Sequence, residues 1–203
     1  ATATYGPVAD WDVSAVTDMS YLFYWLTNFN ADISNWKTSG VTTMANMFSG
    51  ASAFNQPLSF DTSSVTDMSG MFAGAVVFDQ PLDFDTSSVI SMRAMFDGAS
   101  AFNQPLSVGN VSNASTSRRA LVSTGARHFA TSNVHDMGAM FKGAVAFNQR
   151  LHFATSSVTD MRSMFEGASV FNQPLLFGVA DVVTSRRALV STGARHFATS
   201  NVH

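Results

Sequence analysis

Bulky apolar residues return along this chain at fixed places. Met-Phe occurs as Met47-Phe48, Met71-Phe72, Met95-Phe96, Met140-Phe141 and Met164-Phe165, and Leu22-Phe23 stands 25 residues before the first pair. The steps between the five Phe residues are 24, 24, 45 and 24. A period of this size marks a stacked-repeat architecture, in which each unit buries its apolar face on its neighbours.

Three columns of bulky side chains run through the repeats. The first is Met-x-x-Met-Phe, at 44, 47 and 48 and at the matching places in later repeats; with Met19 it accounts for all eleven Met. Spacing of i, i+3, i+4 predicts one face of a short helix. The second column is Phe29, Phe54, Phe78, Phe102, Phe147 and Phe171, and the third is Trp11, Trp36, Phe60, Phe84, Phe129, Phe153 and Phe197. All three read as core, each side chain stacked on its copies one turn away.

Ser64, Ser88, Asn133 and Ser157 share one position and read as N-caps, with Asp67, Ser91, Asp136 and Asp160 three residues on. Gly50, Gly74, Gly98, Gly143 and Gly167 follow each Phe by two, where a left-handed residue ends a helix. Phe-Asn-Gln-Pro-Leu comes next at 54–58, 102–106 and 171–175, with variants at 78–82 and 147–151. Asn or Asp at one place in every turn predicts a ladder of side chains bonding the backbone of tight bends. Leu58 and Phe60 alternate as in a short strand, entered through a Pro.

Residues 1–35 form an atypical first turn, in which Tyr21, Tyr24, Trp25 and Leu26 replace small residues, as expected of a repeat that covers an open core. Residues 108–128 and 177–196 read as degenerate or inserted turns. Within them Thr116–His135 and Thr184–His203 are identical, as from a recent duplication or a sequence assembled by inference. Ala120-Leu121 is expected to replace Met-Phe in a shortened turn, with a loop leaving the stack as the alternative. The sequence stops in mid-repeat at His203, so more protein is expected to cover that end, from the same chain or another. The opening ATATYG reads as a mature form after cleavage at small residues.

Composition narrows the function. A net charge of −3 and 12% charged residues exclude the dense basic stripe of a nucleic-acid surface, and 46% hydrophobic residues argue against disorder. There is no Cys to form a disulfide or ligate a metal. The longest apolar run, Tyr21–Leu26, is far too short to cross a bilayer.

The motif SSVTDMSGMFAGAVVFDQPLDF at 63–84, with near copies at 39–60, 87–106, 132–153 and 156–175, resembles the repeat signature of BspA-like surface proteins. The resemblance covers about four-fifths of the chain. It implies a leucine-rich-repeat-like solenoid, exported from the cytoplasm and used for adhesion or protein contacts, and it brings no catalytic residues. From Phe60 onward Phe replaces the Trp usual in that family.

The candidate chemistry is sparse. Asp18, Asp67, Asp136 and Asp160 lack a second recurring carboxylate for a calcium cage, so capping is the better reading. The histidines, His128, His135, His152, His196 and His203, have no metal-ligand spacing. Arg118, Arg119, Arg127, Arg186, Arg187 and Arg195 make two basic patches on an acidic chain. The plain reading is a solvated face; docking to an acidic partner or lipid headgroup is the functional one, and these arginines are the expected contact points. Thr38, Thr62, Thr86, Thr131 and Thr155 form a column, each followed by Ser. At strand spacing its hydroxyls would recur about every 4.8 Å, a ladder for ice or a polysaccharide if it faces water. Asn110 and Asn113 lie in sequons, relevant only on a eukaryotic secretory route.

The expectation is therefore a single α/β repeat solenoid over residues 1–203, leucine-rich-repeat-like, with one short parallel strand and one short helix per turn and about eight turns. The expected function is a non-catalytic scaffold outside the cytosol that binds protein partners, as an adhesin or a subunit of a larger complex. No metal or cofactor is expected. An ice- or glycan-binding module is the alternative.

Overall fold

The computed structural model describes residues 5–106 and 129–177. Within them six coils lie one on another, led by Trp11, Trp36, Phe60, Phe84, Phe129 and Phe153. Parallel bridges join the same place in each: Asp18 to Thr43, Thr43 to Asp67, Asp67 to Ser91, Ser91 to Asp136 and Asp136 to Asp160. A longer pairing forms only at the end, where β1 (Leu151–Phe153) and β2 (Leu175–Phe177) run parallel with Leu151 opposite Leu175. The other turns of the expected eight fall on 108–128 and 177–196, which lie outside the described residues apart from Phe177.

The Met and Phe columns fill the interior. Phe48, Phe72, Phe96 and Phe141 are wholly buried, and so are Met47, Met71, Met95 and Met140. Within a coil the two Phe rings stack, 4.1 Å apart for Phe72 and Phe78. Between coils the same column repeats, with Phe48 and Phe72 at 5.6 Å and Phe72 and Phe96 at 5.7 Å. Such ring pairs add about 0.5–1.5 kcal/mol each beyond the area they bury.

The helix expected over each Met-x-x-Met-Phe is absent, and the backbone shows why. The N–H groups of Met44, Asn46, Phe48 and Gly50 donate to the carbonyls of Asp67, Ser69, Met71 and Ala73 in the next coil, at 3.0, 2.8, 2.9 and 2.7 Å. The alternate N–H groups of Met47, Ser49 and Ala51 turn back to Met44, Asn46 and Phe48. Each coil is thus a run of overlapping turns that gives every second donor to its neighbour. An α-helix would keep nearly all of them for its own ladder and leave no row to hold the next coil. Two left-handed residues per coil enforce the pattern: φ is +56° at Asn46 and +73° at Gly50, +61° at Gly70 and +68° at Gly74.

The capping roles change accordingly. The hydroxyls of Ser64, Ser88 and Ser157 donate to the carbonyls of Ser39, Ser63 and Ser132 in the preceding coil, and the Asn133 amide donates to Ser87 O. The Asn/Asp column is an inter-coil ladder. The side-chain oxygens of Asn30, Asn55, Asp79, Asn103 and Asn148 accept the backbone N–H of Asn55, Asp79, Asn103, Asn148 and Asn172, all within 2.9–3.0 Å.

The coil ending at Leu106 and the coil led by Phe129 touch directly. Gly98 N–H donates to Lys142 O at 2.6 Å and Phe96 N–H to Met140 O at 2.9 Å. The expected shortened turn at Ala120-Leu121 lies outside the described residues, but its flanking coils are bonded to each other and leave no layer between them for it.

Candidate functional site

The Thr column is not a ligand face. Thr38, Thr62, Thr86, Thr131 and Thr155 are all at most 2% exposed. Their hydroxyls bind inside the stack: Thr38 to Asp61 O, Thr62 to Asp85 O, Thr86 to Ala130 O and Thr131 to Ala154 O, at 2.8–3.0 Å. Each hydroxyl ties one coil to the backbone of the next, so the ice or polysaccharide ladder loses its Thr surface. The exposed Ser residues beside it are also engaged within the protein. Ser63 and Ser87 donate to the Asp61 and Asp85 carboxylates at 2.7 and 2.6 Å.

The bridge column carries the charges. Asp18, Asp67, Asp136 and Asp160 each accept the N–H two residues ahead, at 2.8–2.9 Å, which closes a local turn. Arg93 reaches along the stack to Asp136 and Asp160, at 3.6 and 3.4 Å. Arg162 binds Asp160 through Nε at 3.0 Å and a terminal nitrogen at 2.7 Å. These bonds, led by the Arg162 side chain, hold the Asp160 carboxyl down at about 2. Among the described residues no three His, Asp or Glu side chains gather as a metal site. His135 Nδ1 lies 2.9 Å from its neighbour Asn133 O.

The six arginines expected to contact a partner, Arg118, Arg119, Arg127, Arg186, Arg187 and Arg195, lie outside the described residues. No helix among the described residues is long and apolar enough to cross a membrane.

The surface that stands out is in the first coil. Tyr21, Tyr24, Trp25 and Leu26 are 46–64% exposed, with Tyr21 and Tyr24 edge to face at 5.4 Å. Tyr21 and Trp25 occupy the two left-handed places, at φ +60° and +55°. Gly fills the second of these in each of the five later coils. Trp25 lies against Gly50, where an added Cβ would come within 2.9 Å of the indole. The sequence marks these residues by their departure from the repeat, which points to a cap over the core; the exposure of their rings is what the sequence alone does not reveal.

No curated protein and no solved structure matches the chain. A family described as "Mycoplasma protein of unknown function, DUF285" matches residues 1–107, 58–129 and 111–201. These matches span nearly the whole sequence, and the chain belongs to that family of proteins of unknown function.

Proposed function

We propose that this chain is a leucine-rich-repeat-like solenoid of the BspA-like kind, exported from the cytosol, that acts as a non-catalytic scaffold for protein partners in adhesion or in a larger assembly. The observation that carries the reading is the aromatic surface of the first coil. A side chain at left-handed φ costs about 1–2 kcal/mol over glycine. Tyr21 and Trp25 bear that cost while their rings face water, so local folding does not explain them. Exposed Tyr and Trp are the residues that anchor protein interfaces. The arginines of the duplicated segments are proposed as a second contact.

Native mass spectrometry of the chain taken from its source cells tests this reading, with surface labelling to locate it. Wild type is expected on the cell surface or in a lumen, carrying a protein partner. The double variant Tyr21→Gly/Trp25→Gly suits the backbone and should lose the partner. A chain found free, or one whose partner is indifferent to both substitutions, overturns it.

A further inference from the structure

The two ends of the stack are unlike, and they are complementary. In the interior every coil donates a row of four N–H groups to the next. In the coil led by Phe153 that row is Met161, Ser163, Phe165 and Gly167, and none of the four N–H groups has a partner among the described residues. In the coil led by Trp11 the matching acceptors are the carbonyls of Asp18, Ser20, Leu22 and Tyr24, and none receives a hydrogen bond among the described residues. The apolar column is open at the same places. Leu22 holds the position of Met47, Met71, Met95 and Met140, all wholly buried, yet it is 42% exposed. Phe165 and Phe171 are only half-buried, whereas Phe141 and Phe147 are fully covered.

An unpaired row of backbone donors beside an apolar edge is a template for another chain. Four acceptors at the spacing of one coil, flanked by an uncovered core residue, are what it needs, and the first coil of this protein presents them. Within the chain, 197–203 repeats the sequence of 129–135, the part of a coil that precedes the acceptor row, and so does not supply it.

We propose that copies of this chain associate head to tail. The N–H groups of Met161, Ser163, Phe165 and Gly167 of one copy donate to the carbonyls of Asp18, Ser20, Leu22 and Tyr24 of the next, and Phe165 and Phe171 close over Phe23 and Phe29. The contact is confined to the turn side of the coil. On the strand side β2 already lies against β1, and Val8 O already accepts the Trp36 indole N–H. Such a contact joins different surfaces on the two copies, so it propagates into an open row unless a rotation closes it. It does not depend on the partner-binding role of the aromatic surface.

Sedimentation of the 203-residue chain over a wide concentration range tests the proposal, with Leu22→Asp to block one end and Ser163→Asp to block the other. Asp is tolerated at the left-handed Ser163 position, and Leu22 is already exposed. Wild-type mass should climb past the dimer as concentration rises. Each variant alone should stay monomeric, and a mixture of the two should form a dimer, because each brings the end that the other lacks. Trp25→Gly should associate as wild type does. In wild type, hydrogen exchange at the amides of Met161, Ser163, Phe165 and Gly167 should slow with concentration, a readout that needs no variant. A wild-type monomer at every concentration overturns the proposal, and so does a monomeric mixture of folded variants. Amides at 161–167 already protected in the monomer would mean that residues 178–203 occupy that end, which also overturns it.

Discussion

Phe96 and Phe141 stand 45 residues apart in the sequence, and their rings lie 5.6 Å apart and 9° from parallel. Phe72 and Phe96, only 24 residues apart, have the same relationship at 5.7 Å and 6°. The stack therefore closes across the long step as it does across a short one.

A deletion follows from that closure. Removing residues 108–128 takes out the 21 residues by which 45 exceeds 24, and leaves Leu106-Ser107-Phe129 in place of the usual Leu-Ser-Phe corner seen at 58–60. The shortened chain should fold, with a melting temperature equal to or above that of wild type, since loop-closure entropy falls with loop length. A melting temperature lower by more than about 8 °C, a shift on the order of 1–3 kcal/mol in a domain of this size, would mean that the segment contributes to the core.

Core truncation separates the two kinds of buried column. Phe72→Ala should cost about 3–5 kcal/mol in urea unfolding, because Phe72 is wholly buried between two rings. Thr62→Val keeps the shape and removes one hydroxyl bond to Asp85 O, so it should cost about 1–2 kcal/mol. Thr62→Tyr should unfold the coil rather than abolish a ligand signal, since the site is fully enclosed. If Thr62→Tyr is as stable as wild type, the column is not interior.

The columns were legible in the sequence because stacked side chains must recur at one spacing. The missing helix was not. Met44, Met47 and Phe48 have i, i+3, i+4 spacing in a helix and also in overlapping turns closed by bonds three residues back. What decides between them is the left-handed residue two places before Phe48, and that place holds Asn46, Gly70, Ala94, Ala139 and Ser163 in turn, with no common residue type to announce it. The Thr column misled for a related reason. A Thr next to Ser reads as surface until the carbonyl that accepts its hydroxyl, 23 residues away for Thr62, is brought over it.

Ala94→Gly is expected to stabilise. Ala94 is held at φ +53°, where Gly70 stands one coil earlier at +61°. Release of Cβ strain should outweigh the extra entropy of the unfolded chain by a few tenths to about 1 kcal/mol. Urea midpoints of the two proteins check this, and a lower midpoint for the variant would show that the alanine methyl contributes more by packing than it costs in strain.

Acid should loosen the charged column in a defined window. The folded-state pKa of Asp160 is depressed, to about 2, chiefly by its bonds to the Arg162 side chain. Its stabilisation is therefore present above the unfolded value near 4 and is lost as pH falls from there toward 2. Arg162 is largely exposed, so solvent screening limits the effect to about 1 kcal/mol. Asp160→Asn should be less stable than wild type at neutral pH and should lose that part of the acid dependence. An unchanged slope of stability against pH between 4 and 2 would remove Asp160 from the account.

The corner between Leu106 and Phe129 has a practical meaning. Both residues are seated in the core, at 3% and 2% exposure, with a long excursion between them. A corner that takes on a guest of this length without moving its anchors is a graft point. Leu58-Ser59-Phe60 and Leu82-Asp83-Phe84 have the same build, so foreign peptides spliced at either should be displayed along the rod at intervals set by the number of coils between them.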